Sequence, residues 1–196
     1  MTFIAKHKLV SCFTLIGLCF FLLVGCINFS NEGIVNVDAD SLILDQELGL
    51  VHYNGKPFSG AGVSYFKDGK KAESNKYIFG KRQGLRTKWF SNGEKSYVAD
   101  YKNGKLDGFS KSWWNNGAIR SQSNFKEGLL EGEQKKWFKS GSVFKIQNYS
   151  AGKESGMQKA FRENGKIYAN YEAKNGRVFG LKRSNLCYDL EDEKIK

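Results

Sequence analysis

From Val51 onward the chain alternates apolar and polar residues in short runs, each broken after about seven or eight residues by a glycine-bearing pair. A period of two over runs of that length predicts half-buried β-strands joined by turns. The spacing is strict. Gly60, Gly84, Gly108, Gly132, Gly156 and Gly180 recur at steps of 24 residues. Asp68-Gly69, Asn92-Gly93, Asn116-Gly117, Ser140-Gly141 and Asn164-Gly165 keep the same step. So do Tyr65-Phe66, Trp89-Phe90, Trp113-Trp114 and Trp137-Phe138, and a further column of Tyr77, Tyr101, Phe125 and Tyr149. Phase-locked columns of this kind mark an internal repeat, in which each unit buries its apolar face against its neighbours.

Each unit holds two strands. Asn-Gly or Asp-Gly between such runs predicts a two-residue type I′ hairpin, and the second, Gly-bearing turn (Phe79-Gly80, Asn103-Gly104, Glu127-Gly128, Ala151-Gly152, Asn175-Gly176) reads as looser. The predicted fold is all-β: an elongated, twisted antiparallel β-meander of 24-residue β-hairpin repeats, with five units and partial ends over residues 51–188. A two-residue loop at Asn92-Gly93 sets Gly84 opposite Tyr101 and Phe90 opposite Lys95. The same register sets Gly60 opposite Tyr77, Gly108 opposite Phe125 and Gly132 opposite Tyr149. A ring lying across a strand glycine compensates for the missing side chain, so the glycines read as seats for rings. Gly156 faces Ala173 instead, which marks the fifth unit as a terminal variant.

Alternation then sorts two faces. One carries Phe66, Phe90, Trp114 and Phe138 with the glycines and their rings, and is the expected core. The other carries Tyr65, Trp89, Trp113, Trp137 and Phe161, with Lys111, Lys135 and Lys159 two residues upstream on the same strands. Rings interleaved with cations suit planar or anionic ligands and make this row the candidate binding face. The competing reading is that these rings are core as well, because a sheet so short of Leu, Ile and Val buries its aromatics somewhere.

The pattern Gly-x4-Trp-Phe-x-Asn-Gly followed by Tyr-Lys-Asn-Gly-Lys-x2-Gly, led by Gly55-Lys56-Pro57-Phe58-Ser59-Gly60, resembles the bacterial variant of the MORN repeat over about residues 51–180. That resemblance implies a meander acting as an interaction module. It also brings in the antitoxin role of some bacterial relatives and the membrane-lipid association of eukaryotic ones. The family's motif residues are structural, so no binding residue carries over.

The first residues change the compartment. Lys6 and Lys8 precede an apolar run from Leu9 to Val24, the layout of a secretory signal peptide over residues 1–25. The run is shorter than the roughly 20 residues a membrane-spanning helix requires. Leu23-Val24-Gly25-Cys26 resembles the lipobox of bacterial lipoproteins, which implies that Cys26 carries lipid and that the chain is anchored, exported, to a membrane of the cell envelope. Ile27 after that cysteine is compatible with the outer membrane. Residues 26–50 read as a lipidated acidic tether, with Glu32, Asp38, Asp40, Asp45 and Glu47 and no Lys or Arg, and residues 189–196 as a charged tail.

Charge separates the segments further. Residues 51–188 hold 27 Lys and Arg against 11 Asp and Glu, a net of +16. Such a surface attracts an acidic protein or an anionic envelope polymer, and nucleic acid is not expected in that compartment. Equally, lysine-rich strands keep an open sheet from pairing edge to edge.

Catalytic material is sparse. Cys12 and Cys19 fall in the signal segment and Cys26 is taken by lipid, so Cys187 has no partner and a disulfide framework is excluded. His52 is the one histidine after the signal segment. Neither zinc-ligand spacing nor a nucleophile–base constellation can be assembled, so no metal, cofactor or enzymatic activity is expected. The expected role is an envelope interaction scaffold, with an antitoxin or immunity protein as the alternative.

Overall fold

The computed structural model describes residues 35–181. Residues 1–25, Cys26, Cys187 and the tail at 189–196 lie outside the described residues. The leading elements are β1 (Asn36–Asp38), a 3-10 turn (Ala39–Ser41), β2 (Ile43–Asp45), β3 (Leu50–Tyr53) and β4 (Lys56–Pro57). The repeats supply β5 (Gly60–Tyr65), β6 (Lys71–Ile78), β7 (Lys81–Trp89), β8 (Lys95–Lys102), β9 (Lys105–Trp113) and β10 (Ile119–Lys126). They continue with β11 (Leu129–Leu130), β12 (Gly132–Trp137), β13 (Val143–Ser150), β14 (Lys153–Glu154), β15 (Gly156–Phe161), β16 (Ile167–Lys174) and β17 (Arg177–Leu181).

The fold is the all-β meander of consecutive hairpins that the periodicity predicts. Each strand from β5 to β17 lies beside its sequence neighbour in a 14-stranded sheet, with the short β11 and β14 continuing β12 and β15 across a break. β1 adds the one parallel pairing among the described residues, Val37 against Gly62. A separate sheet, β2-β3-β4, precedes the array.

Within residues 35–50 the expected acidic tether is therefore ordered. Its carboxylates form turns: Asp38 Oδ1 accepts from Asp40 N at 3.0 Å, and Asp45 Oδ1 accepts from the N–H groups of Glu47 and Leu48, both at 3.0 Å. Aspartate followed by an exposed N–H two or three residues on is turn chemistry, and a count of charge alone does not distinguish it from a solvated linker.

The two turn types are the reverse of the sequence reading. Lys102 pairs directly with Lys105, and both intervening residues are left-handed, Asn103 at φ 51° and Gly104 at φ 83°. That is the two-residue type I′ loop, and Phe79-Gly80, Glu127-Gly128, Ala151-Gly152 and Asn175-Gly176 repeat it. At Asn92-Gly93 only the glycine has positive φ. Gly93 N donates to Phe90 O and Phe90 N to Glu94 O, both near 2.9 Å, which closes a three-residue loop ending in a glycine bulge. The asparagine is there for its side chain: Asn92 Oδ1 accepts from Glu94 N, as Asp68, Asn116 and Asn164 accept from Lys70, Ala118 and Lys166.

The extra loop residue explains why Lys95 lies opposite Trp89 and not Phe90. A second irregularity, between Lys88 and Trp89 with Ser96 left over, cancels that shift, and from there the expected register holds: Gly60 faces Tyr77, Gly84 Tyr101, Gly108 Phe125, Gly132 Tyr149 and Gly156 Ala173. The rings do not sit on those glycines, however. A Cβ on Gly84 or Gly132 would meet nothing within 4 Å, whereas the Tyr77 ring lies 3.4 Å from the Cβ position of Gly62, one step along the strand. Gly84, Gly108 and Gly132 are required instead by φ of 74°, 106° and 70°, a backbone that side chains strain.

A further column binds neighbouring repeats. Ser59, Gln83, Asp107 and Glu131 each accept, through a side-chain oxygen, the N–H of the first tip residue twenty positions later: Phe79, Asn103, Glu127 and Ala151, at 2.8–3.0 Å. Gly80, Gly104, Gly128 and Gly152 also donate to a backbone oxygen of the preceding repeat, as Gly104 N does to Arg82 O at 2.9 Å.

Directly opposed residues share a face, so the register assigns sides. Tyr77, Asn75, Ala99, Tyr101, Ser110, Gln134, Gln158, Ala160, Ala169, Tyr171 and Ala173 are buried and all lie on one face, which we call closed. This core is made of small or polar residues with long side chains across them: the Arg82 guanidinium stands 5.7 Å from the Tyr101 ring and Arg86 6.0 Å from Tyr97. The opposite, open face buries Ala61, Val63 and Val98.

Candidate functional site

The register brings every residue of the expected binding row to the open face. Tyr65, Trp89, Trp113, Trp137 and Phe161 stand opposite Lys71, Lys95, Ile119, Val143 and Ile167. One strand step away, Val98, Lys111, Gln122, Lys135, Ile146, Lys159 and Asn170 form a continuous cross-strand line.

Their burial fits neither simple reading. Tyr65 is 53% exposed, while the three tryptophans, Phe161 and the three lysines are half-buried. The rings lie partly covered along the sheet and keep an exposed edge. Trp114 Nε1 donates to Trp137 O at 3.3 Å, which ties the ring columns of adjacent repeats together. Lys135 pairs with Glu133 at 2.8 Å. Lys111 and Lys159 have no ion-pair partner among the described residues.

Alternation also places on this face a set of exposed apolar residues that the sequence reading did not single out: Leu85, Phe109, Met157 and Leu181. Their signal was present, because each directly follows a strand glycine and so falls in one 24-residue column. The open face therefore combines exposed hydrocarbon with a cationic line.

The closed face carries two grooves. One, of about 340 Å³, is lined by Arg86, Lys88, Tyr97, Ser112, Trp113 and Arg120. Its cations are largely committed. Glu73 bonds Arg86 at 2.9 Å and Lys88 at 3.2 Å, and Arg120 stacks 4.8 Å from the Trp114 ring. Burial by itself would raise the Glu73 carboxyl, but the Asn75 amide and the two cations outweigh it and hold the group below the usual range. The second groove, of about 450 Å³, lies between β13, β15 and β16.

His52 sits on the small sheet opposite Ile43 and Pro57. Among the described residues no three His, Cys, Asp or Glu side chains converge as metal ligands, and no helix is long and apolar enough to cross a membrane. What the arrangement offers chemically is contact: ring edges, exposed methyl and methylene groups, and unpaired ammonium groups on one sheet face. In comparisons with known proteins, no family model matches the chain and no curated protein does.

Proposed function

We propose that this chain is a lipid-anchored protein of the bacterial cell envelope, and that its repeats, of the MORN kind, form a scaffold whose open face binds an acidic partner. The observation that carries the binding role is the composition of that face: Leu85, Phe109 and Met157 stand exposed beside Trp89, Trp113 and Trp137, along a line holding Lys111 and Lys159. Exposed apolar side chains clustered with unpaired cations favour a partner that brings its own hydrocarbon and carboxylates or phosphates. The anchor rests on the Leu23-Val24-Gly25-Cys26 motif.

Two measurements test these parts separately. Cys26→Ala is expected to leave an unlipidated precursor, and metabolic labelling with a fatty-acid analogue is expected to mark only the parent chain; a labelled variant would refute the anchor. For the binding role, Trp113→Ala is expected to cost about 1–2 kcal/mol, because the ring is only half-buried. It should still remove most crosslinked capture of the partner from intact cells. Capture should also fall as salt rises. Stability losses of about 3–5 kcal/mol at both Trp113 and Trp89 would identify the rings as core and end the binding-face reading.

A further inference from the structure

The second groove on the closed face coincides with three linked departures from the repeat. At the position where earlier units carry Tyr77, Tyr101, Phe125 and Tyr149, the fifth has Ala173. Its ring appears two residues earlier, as Tyr171, in a column otherwise occupied by Asn75, Ala99, Ser123 and Gln147. Glu154 stands in a column of Phe58, Arg82, Leu106 and Leu130.

The displaced ring and the new acid meet. Tyr171 Oη donates to the Glu154 carboxylate, 3.1 and 3.0 Å from its two oxygens. Gln147 Nε2 donates to Tyr149 Oη at 3.1 Å and lies 3.5 Å from Glu154 Oε1. Burial first, and then Glu154, push the Tyr171 phenol up to about 12, so Tyr171 remains a donor across the physiological range.

Tyr171 and Gln147 of this cluster line a preformed cleft. The floor is Ala160 and Ala169, both buried, and Gln158, which is 1% exposed and fixed at both ends: Asn148 N donates to its Oε1 at 3.1 Å, and its Nε2 donates to Asn148 O at 2.7 Å. Two alanines here, where other units have Lys136, Ser112, Lys145 or Tyr97, leave a flat apolar patch. Tyr168 and Lys145 line the opening. Lys145 lies directly across from Lys136 on the same face; its ammonium stands 5.0 Å over the Phe144 ring, and neither lysine forms an ion pair among the described residues.

We propose that this cleft is a saccharide site that takes one sugar ring bearing an anionic substituent. Ala160 and Ala169 accept the C–H face of the ring, and Tyr168 flanks it. The Gln147 amide meets its hydroxyls. Lys145, with Lys136 behind it, holds the acidic group. A volume of about 450 Å³ accommodates one such ring within a longer oligosaccharide. Apart from Lys159, which also lines the groove, the Trp and Lys row stands on the opposite side of the sheet.

Titration calorimetry of the full chain with tetragalacturonate and with neutral maltotetraose tests the assignment. The acidic oligosaccharide is expected to bind saturably, about tenfold more tightly than the neutral one. Tyr168→Ala should weaken both about tenfold with little change in melting temperature. Lys145→Gln should weaken only the acidic ligand, and Lys111→Gln, on the other face, should change neither. If Tyr168→Ala does not fold, the contrast between Lys145→Gln and Lys111→Gln decides. No saturable heat, or equal losses from Lys145→Gln and Lys111→Gln, would overturn the site and leave only diffuse attraction of polyanions.

Discussion

Gly80→Ala is expected to cost about 3–4 kcal/mol, more than the same change at any other hairpin tip. Gly80 is left-handed at φ 76°, which by itself costs an alanine about 1–2 kcal/mol. The added methyl would also stand 2.9 Å from Val51 O, 3.0 Å from Leu50 Cβ and 3.1 Å from Val51 N. These contacts are mostly backbone, so relief requires β3 to move. That movement would pull on two short bonds, Gly80 N to Phe58 O at 2.7 Å and Val51 N to Gly80 O at 2.8 Å. Gly104→Ala separates the two terms, because Gly104 has a similar φ of 83° and its nearest neighbour is Lys81 Cβ at 4.0 Å. It is expected to lose only the conformational part, about 1–2 kcal/mol. Urea unfolding of the two variants measures the difference, and equal losses would show that the close approach of β3 contributes nothing.

The second large effect is at Tyr101, which is 8% exposed, shares its strand face with the fully buried Ala99 and has the Arg82 guanidinium 5.7 Å from its ring. Tyr101→Ala is expected to cost about 3–5 kcal/mol through lost transfer energy and a cavity that the rigid strand backbone does not close. Phe125 occupies the same column but is half-buried, so Phe125→Ala should cost distinctly less. Thermal melting of both variants checks this. A loss at Phe125 equal to that at Tyr101 would mean that the repeats contribute uniformly, against the uneven burial of their shared ring column.

Much of this was legible because a repeated sequence states each requirement several times. The pairing of Gly84 with Tyr101 and its equivalents could be deduced by counting from the turn only because the extra loop residue is cancelled by a bulge at Ser96, which returns the register to phase from Lys88 opposite Tyr97 onward. Turn type was not legible from the dipeptide. Asn-Gly serves a left-handed pair at Asn103-Gly104 and a side-chain cap with one left-handed residue at Asn92-Gly93, and the two uses share the same letters. Phe79, Glu127 and Ala151, held at φ of 47–51°, occupy positions that composition would assign to Asn or Gly.

Period-two alternation sorted the rows of the open face correctly, because it is a property of the strand itself. Degree of exposure is a property of neighbours. The half-burial of Trp89, Trp113 and Trp137 therefore needed coordinates. The Tyr171–Glu154 contact spans two hairpins and shows in the sequence only as a pair of irregular letters.

The clip that joins the repeats has a direction. Asp107, on β9, and Glu131, between β11 and β12, both come twenty residues earlier in the chain than the tip residue they hold. Each of the four clipped tips thus meets an acceptor belonging to chain already made, and the order of synthesis is the order in which these sites of attachment become available. Lengthening such an array requires no change to what exists, since a further unit brings its own tip and finds its partner waiting. Shortening it from the end leaves every earlier clip complete, so repeat number is a quantity that selection can adjust one unit at a time without redesigning the sheet.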